Sequence, residues 1–109
     1  MNIAITFRQM DATESVKSYA TEKFAKLQKF HKQPMKVQVT VSCQKTVHHA
    51  EVDIHAGSDH FHAREESEDM YASIDKVLDK LEAQMRHSQG KHKGKERVSD
   101  KLLPSVEDD

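Results

Sequence analysis

The chain has 109 residues, 36% hydrophobic and 32% charged, which fits one compact domain with a solvated tail and leaves too little material for two cores. Seventeen Lys and Arg against eighteen Asp and Glu give a net charge of -1, so composition alone names no polyanionic partner. No run approaches the ~18 apolar residues of a membrane-spanning helix, and the first eight residues lack the basic start and apolar stretch of a secretory signal. The single cysteine, Cys43, excludes an intramolecular disulfide, an all-cysteine zinc site and a dithiol redox motif. A soluble protein of the cytoplasm is expected.

Ile3, Ile5 and Phe7 alternate with Asn2, Ala4, Thr6 and Arg8, which predicts a first strand with one buried face. Asp11 or Thr13 can cap a helix, and Val16, Tyr19, Ala20, Phe24, Leu27 and Phe30 then keep to one arc at about 100° per residue. That helix is expected to run to about residue 30 or 31. Gln33-Pro34 ends it, since proline disfavours the helical conformation in the residue before it.

Val37, Val39, Val41 and Cys43 alternate with polar residues in a second strand, and Lys45 to Val47 turn the chain. Ala50, Val52, Ile54 and Ala56 form a third. With Gly57-Ser58 as a two-residue turn, Ile54 faces Phe61 and Val52 faces Ala63 on one side. On the other side His55 faces His60, Asp53 faces His62 and Glu51 faces Arg64.

Ser67 or Asp69 can cap a second helix, in which Met70, Tyr71, Ile74, Val77, Leu78, Leu81 and Met85 share one arc; Tyr71 is read as core. This helix is expected to end near Gln89-Gly90, before a basic segment and an acidic tail. The order is β-α-β-β-β-α, an α+β fold: a four-stranded mixed sheet with both helices on one face and the other face open. The expected organisation is a domain over residues 1–95 and a flexible tail over residues 96–109.

The near-zero net charge hides a polarised distribution. Lys17, Lys23, Lys26, Lys29, Lys32 and Lys36 share a stretch whose one acid is Glu22; Arg86, Lys91, Lys93, Lys95 and Arg97 crowd another whose one acid is Glu96. Two basic segments on two helices over one sheet face suit a polyanion, because phosphate binding needs several cations spread over a surface. The bland reading, lysines favouring helix dipoles and solubility, competes with it.

No P-loop, GxGxxG, GxSxG or HExxH is present, and Cys43 on an inner strand face is a small hydrophobe rather than a nucleophile. No enzyme is expected. The predicted hairpin gathers Asp53, His55, His60 and His62 on one exposed face, a set that can ligate zinc or nickel, although the spacing matches no metal signature and no resident metal or other cofactor is expected. Few aromatics are left to stack bases, which favours contacts to nucleic-acid backbone and shape.

Asp69-Met70-Tyr71-Ala72-Ser73-Ile74-Asp75, followed by Leu78-Asp79-Lys80-Leu81 and Gln84, resembles the second-helix signature of the bacterial ribosome hibernation-promoting factor and ribosome-associated translation inhibitor family, in its short, sigma-54 modulation protein form. Glu22-Lys23-Phe24-Ala25-Lys26-Leu27-Gln28-Lys29 resembles the first-helix signature. The resemblance spans about residues 1–95. It implies a fold like a double-stranded-RNA-binding domain and binding to the small (30S) ribosomal subunit, at the 16S rRNA of the decoding region. There it implies occlusion of messenger and transfer RNA and inhibition of translation in stationary phase or stress. Carried over by position, Lys23, Lys26, Lys29, Lys80, Arg86, Lys91 and Lys93 match basic positions of the family and are expected to contact rRNA, with Lys95 beside them. The free protein is expected as a monomer, with a second ribosome-modulating factor as a further candidate partner. The tail ending Glu107-Asp108-Asp109 leans toward the inhibitor branch. Two other readings are a metal-sensing module on the histidine cluster and a protein-protein adaptor on the open sheet face.

Overall fold

The computed structural model describes residues 1–94, with side chains through residue 88. The elements run β1 (Asn2–Arg8), α1 (Glu14–Ala25), a 3-10 helix (Lys26–Phe30), β2 (Met35–Gln44), β3 (Val47–Ala56), β4 (Asp59–Ser67) and α2 (Met70–Gly94). This is the expected β-α-β-β-β-α order. The tail over residues 96–109 and the boundary before it lie outside the described residues.

The sheet order is β1-β2-β3-β4, with β1 parallel to β2 and the rest antiparallel. Ile54 pairs Phe61, Val52 pairs Ala63, His55 pairs His60, Asp53 pairs His62 and Glu51 pairs Arg64, the register that a Gly57-Ser58 turn dictates. Gly57 has φ +63°, and a Cβ there would come within 2.9 Å of the Gln33 side chain. Glycine is favoured on both counts, since any other residue would be strained in the left-handed backbone and would displace the Gln33 side chain. The β2–β3 turn is tighter than the sequence suggests: Val47 already pairs Gln44, and Lys45 adopts φ 58°.

One core lies between the sheet and the helices. Val37, Val39, Val41, Val52, Ile54 and Phe61 meet Val16, Ala20, Phe24 and Leu27 from the first helical segment and Met70, Ile74, Val77, Leu81 and Met85 from α2. Fully burying side chains of this size contributes about 1.5 to 3 kcal/mol each.

The first helical segment is not one α-helix to residue 30, as the periodicity suggests. Thr13 caps α1 by accepting the Val16 amide at 3.3 Å, and after Ala25 the chain tightens into the 3-10 turn. Gln28 fixes that end: its amide donates to the carbonyls of His31 (3.0 Å) and Gln33 (2.8 Å), and its oxygen accepts the Met35 amide (3.2 Å). At the other end of the chain α2 continues to Gly94 instead of stopping near Gly90. A single interior glycine costs about 1 kcal/mol and does not terminate a long helix on its own.

Candidate nucleic-acid interface

The sequence-predicted cations divide into three groups in space. Lys29 on the 3-10 turn sits with its Nζ 5.2 Å from the Phe30 ring centroid, and Arg86 on α2 places its Cζ 5.5 Å from the same ring. Half-buried Phe30 therefore brings together one cation from each basic segment. Exposed Lys26 lies one turn before Lys29. Phe30 belongs to the apolar arc in the sequence, and its part in gathering charge was not legible there; the alternation of Lys29 with an aromatic neighbour is the one signal present.

Lys23 is half-buried, with its Nζ 5.2 Å from the Tyr19 ring centroid. A lysine in the apolar arc thus runs its stem over an aromatic face and keeps its ammonium at the surface. Lys80 and Arg86 are engaged by carboxylates: Lys80 Nζ lies 2.7 Å from Glu65 of β4, and an Arg86 nitrogen lies 2.7 Å from Glu82 one turn earlier. Lys80 is thereby drawn toward the sheet edge. Lys91 and Lys93 continue the α2 backbone without described side chains, and Lys95 lies outside the described residues.

Carboxylates gather around Tyr19. Tyr19 donates its hydroxyl to Asp75 at 2.7 Å, and its pKa is pushed from 10.0 up to about 12. The hydrogen bond to Asp75 contributes most, then burial, then the charges of Asp75, Asp69 and Glu22. Tyr71 is not core, as its place in the arc suggests: it is 37% exposed and packs edge-on against Tyr19, centroids 4.9 Å apart. Its hydroxyl-bearing ring sits at the margin of the arc, where one face stays wet. Around Tyr19 the helix pair therefore sets Asp75, Asp69 and Glu22 beside Lys23, whereas Lys29 and Arg86 meet at Phe30.

Chemically, the described residues of this surface offer cations. Cys43 is half-buried, 3.9 Å from His48 Nε2. On the open sheet face His60 Nε2 lies 3.1 Å from Asp53, His62 Nε2 lies 2.8 Å from Glu51, and His55 stacks on His60 at 4.3 Å. Each carboxylate is engaged by a separate imidazole. Among the described residues no group of three or more His, Cys, Asp or Glu is arranged to hold a metal ion, and no helix is long and apolar enough to cross a membrane.

With two basic segments meeting at one ring on this fold, the comparisons with known proteins agree on one assignment. The family of Sigma 54 modulation protein / S30EA ribosomal protein matches residues 3–93. The chain belongs to this family. It is 35% identical over 95 residues to the ribosome hibernation promoting factor of Escherichia coli K12, covering 87% of this chain and 96% of that one. The factor of the same name from Azotobacter vinelandii is 33% identical over 96 residues, 88% of this chain and 86% of that one. Among solved structures, the N-terminal domain of Thermus thermophilus Protein Y aligns with a TM-score of 0.76 at 27% identity, over 81% of this chain and 99% of that one. A ribosomal subunit interface protein from Coxiella burnetii shares the fold, with a TM-score of 0.72 at 20% identity over 83% of this chain and 99% of that one. The family model and the curated relatives give the family, and the solved structures share the β-α-β-β-β-α architecture.

Proposed function

We propose that the protein is a ribosome hibernation factor that binds the small subunit near the decoding region and keeps messenger and transfer RNA out, inhibiting translation in stationary phase or stress. The observation that carries this reading is the meeting of Lys29 and Arg86 over Phe30, which joins the basic ends of both helical segments into one surface. The name of the curated relatives, ribosome hibernation promoting factor, supports the ribosome as the target.

The mechanism is occupancy without a reaction or cofactor. Lys23, Lys26, Lys29 and Arg86 meet 16S rRNA phosphates, with Lys91, Lys93 and Lys95 extending the contact beyond the described side chains and Lys80 contributing once Glu65 releases it. Each phosphate neutralised releases condensed counterions, so affinity falls steeply with salt. The protein acts in the cytoplasm as a monomer that docks on the ribosome.

The test is co-sedimentation with purified small subunits of the wild type, Lys26→Glu/Lys29→Glu and Arg86→Glu, with far-UV circular dichroism as the folding control. The charge reversals are expected to weaken association by roughly tenfold or more while the fold persists. Unchanged co-sedimentation overturns the assigned surface. Competition by transfer RNA for the bound protein checks the decoding-region placement, and additive binding of both counts against it.

A further inference from the structure

The sheet face turned away from the helices carries a second set of ionisable groups, ordered by the strand register. Lys36, His55 and His60 form one cross-strand row, and all three are exposed. Asp53 and His62 share the next row, Glu51 and Arg64 the one after, and Arg8, His49 and Glu66 lie in the last. Two carboxylates are held by imidazoles, His60 Nε2 lying 3.1 Å from Asp53 and His62 Nε2 2.8 Å from Glu51; Glu66 lies 3.1 Å from His49 Nδ1 without hydrogen-bond geometry. Arg8 and Arg64 have no ion pair or ring contact among the described residues, and both line an open groove of about 360 Å³ floored by Thr40 and Ser42.

On this face three carboxylates offset three permanent cations, so the four imidazoles decide its sign. Histidine is the side chain whose charge ordinarily changes between about pH 5 and 8. The His55 and His60 rings lie 4.3 Å apart and within 8° of parallel. Two charged rings at that separation repel unless an anion lies against them. A neutral His60 that donates its Nε2 proton to Asp53 also keeps a bare acceptor at Nδ1, which becomes a donor only on gaining a second proton. Anion binding and proton uptake are therefore coupled here, and the coupling is reciprocal.

We propose that this open face is a second RNA-backbone surface, centred on Lys36, His55 and His60, that engages phosphates as its imidazoles become charged. It is distinct from the helix surface assigned above and does not depend on it. A chain of phosphates fits better than a single free anion because the cations are spread out. Lys36 and Arg8 stand at opposite ends of the paired β1 and β2, about 20 Å apart along the strands, and Arg64 lies near the far edge. Among the described residues no Phe, Tyr or Trp ring lies on this face, and the His55 and His60 rings are stacked on each other, so the contact is to backbone.

Fluorescence anisotropy with a labelled RNA duplex of about 16 base pairs tests this at about pH 8 and about pH 6, at constant ionic strength. The proteins are the wild type, Lys26→Glu/Lys29→Glu and His55→Gln/His60→Gln. Acidification is expected to tighten binding by roughly tenfold in the wild type and in the helix-surface variant. The His55→Gln/His60→Gln protein should bind as the wild type does at the higher pH and lose most of that gain. A gain that survives in this variant assigns it to other groups, such as His87 on α2, and overturns the proposal, as does the absence of any gain. Inorganic phosphate that competes as well as RNA, phosphate for phosphate, also overturns it, because the face is then a single-anion site. Co-sedimentation of the same variant with small subunits at about pH 8 reads the helix surface alone, so failure of one surface is distinguished from failure of the other.

Discussion

Tyr19 on α1 donates its phenolic proton to Asp75 on α2 across 2.7 Å, joining the two helices through residues 56 positions apart in sequence. The carboxylate holds the proton on the phenol, by the hydrogen bond first and by burial and the charges of Asp75, Asp69 and Glu22 after it. The folded pKa of about 12 lies above the ordinary value of 10.0. The sign follows: the stabilisation is complete below about pH 10 and is lost as pH rises through about 12. Tyr19→Phe is expected to lower stability by about 1 kcal/mol near neutrality, and the gap to the wild type should close in strongly alkaline solution. Paired thermal melts across the alkaline range check this; a gap that stays constant to the highest pH refutes it.

Two carboxylates restrain the cationic surface, Glu65 against Lys80 and Glu82 against Arg86. Partly exposed ion pairs of this kind contribute about 0 to 1 kcal/mol to stability, so removing the acid leaves the fold almost unchanged. Glu82→Gln and Glu65→Gln are each expected to tighten small-subunit binding by about two- to fivefold at low salt, with the advantage shrinking as salt is added. Lys80→Gln should weaken binding less than Lys26→Gln, since Lys80 has a carboxylate at 2.7 Å to leave before it can reach a phosphate. Filter binding at two ionic strengths measures all three effects, and equal losses for Lys80→Gln and Lys26→Gln would contradict the account.

The strands were legible in the sequence because their side-chain period is two and a slip of one residue would invert both faces at once; Ile54 opposite Phe61 and His55 opposite His60 follow from a single turn at Gly57. The helix ends were less legible. The 3-10 turn depends on Gln28 reaching backbone groups of His31, Gln33 and Met35, a tertiary detail that periodicity does not encode. The Glu82–Arg86 pair is an i,i+4 spacing legible in the sequence, but the restraint on Lys80 is not, because Glu65 meets it only after β4 packs on α2. Tyr71 fell within the apolar arc yet lies at its margin against Tyr19, since a hydrophobic wheel does not say how wide a stripe the neighbouring helix covers.

Ser73 is the fully buried polar side chain at the start of α2, at 0% exposure. Its hydroxyl donates to the His48 carbonyl of β3 at 2.7 Å, and the Ser67 hydroxyl lies 2.7 Å away. Ser73→Ala leaves these partners short of a hydrogen bond in a site closed to water, and is expected to cost about 1 to 3 kcal/mol. Urea unfolding should show the midpoint falling with the slope unchanged. Ser73→Thr keeps the hydroxyl but adds a methyl to a packed site, so it should also destabilise. A Ser73→Ala protein as stable as the wild type would mean that the hydroxyl contributes nothing net.

Strand β4 is a sheet edge, and Gln84 on α2 covers part of it. Its amide nitrogen donates to the His62 carbonyl at 2.7 Å, and its oxygen accepts the His62 backbone amide at 3.3 Å, so one side chain occupies the two backbone groups that a further strand would use. The same pair anchors α2 to the sheet beside Leu81 and Met85, which bury their side chains in the core. Gln84→Ala removes both bonds where water can partly replace them, so the expected loss is about 1 kcal/mol. The larger effect is on association, because an uncovered strand edge is a template for pairing with another chain. Gln84→Ala is expected to self-associate at concentrations where the wild type does not, with faster amide exchange at His62. Sedimentation equilibrium and hydrogen exchange measure the two consequences separately: unchanged exchange at His62 in a folded Gln84→Ala protein would show that the amide does not hold the edge, whereas faster exchange without self-association would locate the barrier to edge pairing elsewhere in β4.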